Sequence, residues 1–387
     1  MIGTLVLLLV IAVAAGQGAL ALLCMLLLVT AGAARLWSRW ALVRVEYSRS
    51  LSQDRAFPGD ELEMTIRILN RKLLPLASLR VLDRLPTTLT LLNTPTLFSG
   101  SKQAQLLQRR TSLRWYEGVS WRYRIKATTR GAYRLGPVQL ISGDPFGIFT
   151  NEEAVETATT LLVYPTLLSL AELGLPARHP LGDMRAPALL RDPMRTIGVR
   201  GYVPTDPLKD VHWAATARTG TLQTRVYEQT TARTLAVFLD LDTFEFYYQG
   251  IDPEQVERMI SAAATVARRG LDDGYAVGLY ANGAPAEFEH LARLPAGRSP
   301  AQLALIMETL ARLTAYSVTT IARLLNTTGP ELQPGTTILL ISCVNSEATR
   351  AALLRQRELG FRATWLYMGD DERPQVPGVR VIQAPKR

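Results

Sequence analysis

The sequence has 387 residues and a formal net charge of +9 at pH 7, and 20% of its residues are charged. This length exceeds one ordinary domain and suffices for two. Its two cysteines, Cys24 and Cys343, exclude a disulfide framework or a cysteine-rich metal cluster. Because the basic residues are scattered and are not interleaved with aromatic residues, we expect no nucleic-acid binding. An anionic membrane surface is the better partner for this charge.

The first segment is strongly apolar, with no charged residue from Ile2 to Ala34. As one helix it would be about 50 Å long, which exceeds the roughly 30 Å hydrocarbon core of a bilayer. The break-forming Gly16-Gln17-Gly18 lies at its centre. The sequence therefore predicts a transmembrane hairpin of two short spans, at about residues 1–15 and 19–36. A buried helical pair in a soluble core is the alternative.

Arginines follow the second span closely at Arg35, Arg39 and Arg44. The positive-inside rule keeps such an end in the cytoplasm. Trp37 and Trp40 suit the membrane–water interface. We therefore expect a multi-pass protein of the inner (plasma) membrane, with the lipid bilayer as a partner and the globular part in the cytoplasm.

The next region, residues 41–165, has the alternation that is typical of half-buried strands. Polar and apolar residues alternate over 61–68 and again over 120–126, and turn residues separate such runs. Short strands at these intervals predict an all-β, immunoglobulin-like antiparallel sandwich. No catalytic group of residues is evident in it.

The pattern changes to alternating strands and helices over residues 234–387. A continuous apolar run, Thr234–Leu239, ends at Asp240, as a strand buried on both faces would. Apolar residues from Val256 to Ala267 then recur at helical spacing, and Gly270 is expected to end that helix. Further strands are predicted at 275–280, 336–342 and 362–368, and further helices at 300–313, 318–325 and 347–359. This order predicts a doubly wound, mostly parallel α/β sheet.

A connection, residues 166–233, joins the two regions and contains a dense motif, Arg200–Arg218. Asp206 is a good N-cap and Pro207 a good first helical residue, so a helix is predicted at about 207–219 with Gly220 as its stop. Trp213 and Ala217 are four residues apart on one helical face. We therefore predict that Trp213 is buried and that its loss destabilises the fold.

The motif resembles the signature of the family known as domain of unknown function 58, in which Arg-x-Tyr, Gly-Asp, Arg, Trp and Ala-Arg recur at this spacing. Three upstream pieces, at residues 131–137, 144–149 and 163–165, are similar to the same family. The chain departs from the pattern at Thr205, Lys209 and His212, where the family has Gly, Arg and Asp. His212 is interpreted as structural.

This resemblance implies a membrane hairpin, a β-region and a domain like the von Willebrand factor A domain. Family members are commonly encoded beside MoxR-type AAA+ ATPases and are thought to act with them in the assembly or maturation of envelope proteins. We therefore expect a membrane-anchored, non-enzymatic interaction or scaffold protein with such an ATPase as its partner. The residues expected to bind the partner are Arg200, Tyr202, Asp206, Trp213 and Arg218.

A von Willebrand factor A fold can carry a metal-ion-dependent adhesion site with Asp-x-Ser-x-Ser after the first strand. This chain has Asp240-Leu241-Asp242-Thr243-Phe244 there, and Phe244 cannot bind a metal. The loop at 342–345 supplies no carboxylate. A degenerate Mg²⁺ site would use Asp240, Asp242 and Thr243. We expect it to bind weakly or not at all, and no other cofactor is expected.

An enzymatic alternative uses the same sheet edge. Asp240 and Asp242 would be the nucleophile and acid of a haloacid-dehalogenase-type phosphotransferase, with Asp370-Asp371 as a downstream acidic pair. That chemistry also needs a basic residue, and Lys386 is the only lysine after Lys209. A third interpretation is that both aspartates only cap loops at the sheet edge.

Overall fold

The computed structural model describes residues 2–92, 97–98, 104–157, 159–176, 190–230, 233–286 and 290–386. By its internal contacts the chain divides into two compact units, Met1–Tyr164 and Pro165–Arg387. The first unit contains the apolar helices and the β-region. The second contains the signature motif and the α/β region.

The apolar segment forms two helices, α1 (Ile2–Ala14) and α2 (Gly18–Ala41). The predicted break is confirmed, and Gly16 lies there with a φ of +66° that other residues rarely adopt. Among the described residues, only α2 is long and apolar enough to cross a membrane. It extends beyond the predicted end at residue 36 and carries Trp37 and Trp40 in its last turns.

Small side chains lie on the buried side of the two helices. Ala12, Cys24, Ala31 and Ala34 are each less than 5% exposed, and such residues let helix backbones approach closely. The large apolar side chains point outward instead, as Leu22 does at 71% exposure. A soluble core would bury these leucines, so the alternative of a buried helical pair does not agree with the structure.

The β-region forms three sheets, with strand orders β1-β3-β8-β5, β11-β10-β4-β7-β6 and β2-β12-β9. All pairings are antiparallel except β2 with β12. The strands are β1 (Val45–Leu51), β2 (Arg55–Ala56), β3 (Glu61–Asn70), β4 (Leu76–Pro86), β5 (Leu89–Leu91), β6 (Leu97–Phe98), β7 (Ala104–Leu113), β8 (Gly118–Ala127), β9 (Gly131–Leu135), β10 (Val138–Gly143), β11 (Thr150–Val155) and β12 (Thr159–Val163).

The predicted alternation is confirmed in β3. Leu62, Met64, Ile66 and Ile68 are buried, and the residues between them are exposed or half-buried. Since successive side chains of a strand point to opposite faces, one face of β3 packs in the core and the other meets solvent. This core also contains residues of the five-stranded sheet, such as Leu79 and Val81.

A charged pair lies inside this unit. Arg49 Nη1 donates to Asp83 Oδ1 at 2.6 Å, and both side chains are at most 1% exposed. The second nitrogen of Arg49 donates to Leu135 O and to Thr157 Oγ1, each at 2.7 Å. Tyr47 Oη donates to the other Asp83 oxygen at 2.8 Å. Burial raises the pKa of Asp83, and the neighbouring guanidinium opposes that shift. The pair thus connects β1, β4 and the end of β9.

We predict that Arg49→Met lowers the free energy of unfolding by about 3–5 kcal/mol, because Asp83 is left buried without its cation. Equilibrium urea unfolding of the full chain in detergent measures the change. Arg122→Met is the matched control, since Arg122 and Glu63 form an exposed pair at 3.5 Å that contributes about 0–1 kcal/mol. Equal losses in the two variants would contradict the structural role of Arg49.

The C-terminal end of α2 is attached to the β-region. Lys72, in the turn between β3 and β4, places its Nζ 2.6 Å from Ala41 O and 2.7 Å from Val43 O. Ala41 and Leu42 are themselves part of the β-region's core. The helix end and the sheets therefore form one body.

The second unit contains a six-stranded sheet with the order β18-β16-β15-β20-β21-β22. Five of its strands are parallel, and β18 pairs with β16 in the antiparallel sense. The elements of this unit are β13 (Leu190–Gly201), α3 (Trp213–Thr219), β14 (Gln223–Thr230), β15 (Thr234–Leu239), α4 (Pro253–Asp272), β16 (Ala276–Ala281), β17 (Gly283–Pro285), β18 (Arg293–Gly297), α5 (Ala301–Arg312), β19 (Leu313–Ser317), α6 (Ile321–Thr328), β20 (Thr337–Ser342), α7 (Glu347–Glu358), β21 (Arg362–Tyr367) and β22 (Arg380–Gln383).

The predicted strands and helices of this region are confirmed in type and order. The helix predicted at 318–325 lies at Ile321–Thr328, the end of α4 was placed too early, and the strands β17, β18, β19 and β22 were not predicted. Helix α4 continues through Gly270 and is followed by Asp273 as its cap. A Cβ at Gly270 would lie 2.9 Å from a Leu235 methyl and 3.0 Å from a Val277 methyl. Gly270 is therefore a point of close helix–sheet contact, which sequence alone does not distinguish from a helix stop.

Helices cover both faces of the sheet. Helix α4 packs on the face that carries Leu235, as the contact at Gly270 shows. Ala236 and Phe238 point to the other face and pack with Leu324 of α6 and Leu353 of α7. Both faces of the central strand are covered, which explains its uninterrupted apolar sequence.

Candidate functional site

Two polar residues meet at the carboxyl edge of the parallel sheet. Asp240 directly follows β15, and Asn282 directly follows the neighbouring strand β16. Asn282 Nδ2 lies 2.7 Å from Asp240 Oδ1 and 3.2 Å from Asp242 Oδ2. The carboxylates predicted as a pair are thus brought together around an amide that sequence reasoning missed.

The orientation of the Asn282 amide follows from its other contact. The Leu241 backbone N–H donates to Asn282 Oδ1 at 2.8 Å, so the oxygen faces Leu241 and the NH₂ group faces the two carboxylates. Asn282 is fully buried. Its position after a predicted strand, at the edge where Asp240 lies, was a signal available in the sequence.

Further polar contacts involve Asp242 and Thr243. Ser317 Oγ, at the end of β19, donates to Asp242 Oδ1 at 2.5 Å. Thr243 Oγ1 accepts from the Asp252 backbone N–H at 3.0 Å. Cys343 Sγ lies 3.4 Å from the Asp242 carbonyl oxygen. Ser317 was also missed, because it lies between the helices predicted at 300–313 and 318–325, where no strand was predicted.

Asp240 is 2% exposed. Burial raises the pKa of Asp240 well above its usual value, and the charge of Asp242 acts in the same direction. Burial likewise raises the pKa of the Cys343 thiol to about 12, with Asp240 adding to the effect. The thiol is therefore neutral at neutral pH, and burial beside Asp242 favours the protonated form of Asp240 over its charged form.

This arrangement does not fit a Mg²⁺ ion. Mg²⁺ requires close to six oxygen ligands in octahedral geometry. Here the Asn282 NH₂ group lies between the carboxylates of Asp240 and Asp242, and Thr243 already accepts a backbone hydrogen bond. Phe244 supplies no ligand. Among the described residues, no group of three or more His, Cys, Asp or Glu side chains is arranged to hold a metal.

The nucleophile predicted by the enzymatic alternative is also unfavourably placed. A nucleophile must contact its substrate, whereas the Asp240 side chain is buried and hydrogen-bonded. Asp242 is more accessible and lines a groove of about 530 Å³. Thr243, Phe244, Tyr316 and Ser317 are other residues of that groove.

We predict that Asp240→Asn raises the melting temperature at pH 8 by about 2 °C or more. The folded state holds the Asp240 proton to a higher pH than the unfolded state, because the pKa is raised on folding, whereas the unfolded state releases it above about pH 4. Wild-type stability therefore falls as pH rises from about 4 towards the raised pKa, and the variant lacks this loss. The gain should shrink between pH 8 and pH 5. Thermal melting of the full chain in detergent at both pH values measures it.

Millimolar Mg²⁺ is the control for this experiment. It should shift the wild-type melting temperature little, because a ligand stabilises only near or above its dissociation constant. A variant less stable at pH 8, together with a Mg²⁺-dependent rise of several degrees in the wild type, would show an ionised, metal-bound Asp240 instead.

The signature motif adopts a different structure from the one predicted. Asp206 is not a helix N-cap: its two oxygens accept from Arg200 Nη1 at 2.8 Å and Nη2 at 2.6 Å. The Arg200 hydrogen bonds hold the pKa of Asp206 below its usual range. Residues 208–210 form a single 3₁₀ turn, and α3 begins only at Trp213. The predicted helix at 207–219 is thus wrong in its first half.

His212 is the N-cap of α3, since its Nδ1 accepts from the Ala215 backbone N–H at 3.0 Å. The predicted stop is confirmed, with Gly220 left-handed at a φ of +70°. The segment also contains an antiparallel ribbon, β13 with β14, which was missed because 166–233 was interpreted as a connection.

The predicted burial of Trp213 is wrong. Its side chain is 67% exposed, because it lies at the first position of a helix that has no buried residues. Arg218 is also exposed, and Tyr202 is half-buried. Of the five residues expected to bind a partner, the structure pairs Arg200 with Asp206 and leaves Trp213 and Arg218 on the surface.

Comparison with known proteins identifies the class of this second unit. Residues 198–354, which run from the signature motif into α7, match the family model described as "Protein of unknown function DUF58". The resemblance predicted from the sequence is confirmed over these residues. These residues support the DUF58 family for the second unit of the chain.

One curated relative is the uncharacterized protein YeaD of Bacillus subtilis (strain 168). It is 23% identical over 249 residues, which are 64% of this chain and 58% of YeaD. The match thus spans less than two thirds of the relative.

Some solved structures resemble parts of the chain. A cohesin module from Clostridium perfringens is 10% identical over 31% of this chain and 96% of the module, with a TM-score of 0.21. Spo0M, a sporulation control protein from Bacillus subtilis, is 10% identical over 31% of this chain and 49% of its own, with a TM-score of 0.18. At these scores neither likeness carries an argument.

Proposed function

We propose that this protein is a membrane-anchored interaction protein whose second unit binds a MoxR-type AAA+ ATPase through the segment 198–224, here called the signature segment. The ATPase comes from the family resemblance. The observation that carries the proposal is the exposure of large apolar side chains on this segment. Trp213 and Leu208 are 67% and 69% exposed, and Val199, Val203 and Leu222 are each 44–46% exposed.

Such exposure favours a binding role because monomeric proteins rarely collect large apolar side chains on one surface segment. Trp and Arg are also the residues most enriched among interface hot spots. The signature segment carries Trp213 and Arg218 on the same short helix, α3. A role in assembling or maturing envelope proteins follows from the resemblance and is part of the proposal.

The signature segment is also held in shape without a partner. The bidentate Arg200–Asp206 ion pair closes the loop before the 3₁₀ turn. The Val203 N–H donates to the same carboxylate at 3.1 Å. His212 N–H donates to Gln223 O at 2.8 Å, which connects α3 to β14. A preorganised surface loses less entropy on binding than a flexible one.

We predict that Trp213→Ala weakens capture of the MoxR-type ATPase of the same genome by at least about tenfold. Its melting temperature should stay close to that of the wild type, because the exposed side chain makes little contribution to the core. Pull-down of the purified ATPase by the full chain in detergent, across a concentration series, measures the affinity.

Tyr316→Ala is the matched control, since Tyr316 is an aromatic residue of the same exposure, 68%, in the groove beside Asp242. Capture should be unchanged in this variant. Loss of capture in Tyr316→Ala and not in Trp213→Ala would move the binding site from the signature segment to the groove.

We further propose that α1 and α2 form a transmembrane hairpin in the inner membrane. Helix α2 has the length to span a bilayer, while α1, with 13 residues, would require a locally thinned bilayer or close pairing with α2. Arg35, Arg39 and Arg44 at one end of α2 favour a cytoplasmic location for both units.

A reporter fused after Arg387 tests this topology. We predict activity from a reporter that works only in the cytoplasm and none from one that requires the periplasm, because both chain ends should lie on the arginine-rich side. Replacing Arg35, Arg39 and Arg44 with glutamine should weaken this preference. Activity of the periplasmic reporter at Arg387 in the wild-type chain would overturn the topology.

The finer fold assignments are proposals as well. Two antiparallel sheets that share one core support an immunoglobulin-like sandwich for the β-region. A mostly parallel sheet with helices on both faces supports a von Willebrand factor A-like second unit.

The groove beside Asp242 favours a second function, the binding of a small ligand at the carboxyl edge of the sheet. Open α/β sheets commonly bind ligands at this edge. Asp242→Asn should then abolish ligand binding and leave ATPase capture unchanged.

A further inference from the structure

The loop between β10 and β11, Asp144–Phe149, presents apolar side chains to the outside. Phe146 is 69% exposed and Ile148 is 44% exposed. Both flank Gly147 at the tip of a short turn. Leaving such side chains in water forfeits the free energy of burying their apolar surface. An apolar environment that covers the loop would therefore stabilise it.

The same loop lies beside the apolar helix. Strands β10 and β11 both contact α2, and the Arg35 guanidinium lies 5.9 Å from the centre of the Phe149 ring. Arg35 is the first charged residue after the uncharged stretch, so it marks the level at which α2 leaves the hydrocarbon. The loop thus reaches the level of the lipid headgroups.

The backbone N–H groups of the loop have partners within the loop, which lowers the cost of moving them out of water. Asp144 Oδ1 accepts from Phe146 N at 2.7 Å and from Ile148 N at 3.3 Å, and its Oδ2 accepts from Phe149 N at 2.5 Å. The Asp144 carbonyl accepts from Gly147 N at 3.2 Å. Burial would raise the pKa of Asp144, but these backbone donors outweigh it and keep the pKa below its usual value.

We propose that the loop Asp144–Phe149 inserts Phe146 and Ile148 into the cytoplasmic leaflet beside α2. The occupant of this apolar surface is the bilayer, because the two strands that carry the loop contact the helix that the bilayer surrounds. This inference rests on the membrane anchoring proposed above. It gives the β-region a second contact with the membrane, which fixes the tilt of the first unit.

Site-directed spin labelling of the full chain in phospholipid nanodiscs tests the insertion. Phe146→Cys and Ile148→Cys are labelled with a nitroxide, and collisions with lipid-soluble O₂ and with a water-soluble nickel chelate are compared. Both native cysteines are buried, so the labelled wild-type chain gives the background. Two reference positions complete the series.

The reference in lipid is Leu22→Cys on α2, 71% exposed. The reference in water is Gln53→Cys, an exposed residue just beyond the end of β1 that lies away from α2, about 20 Å along that strand. We expect the labels at 146 and 148 to collide more with O₂ than with nickel, as at position 22. Position 53 should show the reverse.

Two results would overturn the insertion. Nickel collisions at 146 and 148 equal to those at 53 would place the loop in water. Shielding from both reagents would show a protein contact, such as a second copy of the chain. A failure at position 22 itself would reject the membrane anchor, and with it the inference, so the two failures are distinguishable.

Discussion

The last carbonyl groups of a helix have no partners within the helix. At the C-terminal end of α2, Lys72 supplies a hydrogen-bond donor. Its ammonium group donates to Ala41 O and Val43 O, where the helix dipole favours a cation. Burial lowers the pKa of Lys72 to about 8, against an opposing effect of Glu153, so the charge persists at neutral pH. Together with the packing of Ala41 and Leu42 in the core, this attachment holds the β-region against the end of the apolar helix.

A comparable constraint governs the carboxyl edge of the second unit. Two carboxylates two residues apart repel each other, and a buried pair needs a cation or a proton. Here the Asn282 amide and the Ser317 hydroxyl donate hydrogen bonds to the carboxylates, and the raised pKa of Asp240 favours its protonated form. The polar groups of this edge are therefore largely used to stabilise one another. Of Asp240, Asp242 and Asn282, only Asp242 borders the groove, which is why we place the principal interaction elsewhere.

The sequence predicted elements whose cause is local and missed those whose cause is tertiary. Alternation in β3 and the apolar run of β15 follow from which faces are buried, so both were predictable. Asp206 has the chemistry of an N-cap, and only the fold shows that Arg200 takes its carboxylate instead. Gly270 was predicted to end a helix. In the structure its lack of a side chain allows α4 to pack closely against β15. The role of Asn282 required two strand ends to be placed side by side.

Trp213 shows how a wrong prediction about structure changes an argument about function. A buried tryptophan would have explained the motif as part of the core. Trp213 is instead exposed at the start of α3, a helix with no buried residues. Its side chain therefore contributes little to the stability of the fold. The neighbouring Arg200–Asp206 pair and the His212 cap keep the surrounding backbone ordered without it. An ordered segment that presents a large apolar residue to solvent has the physical character of a binding surface.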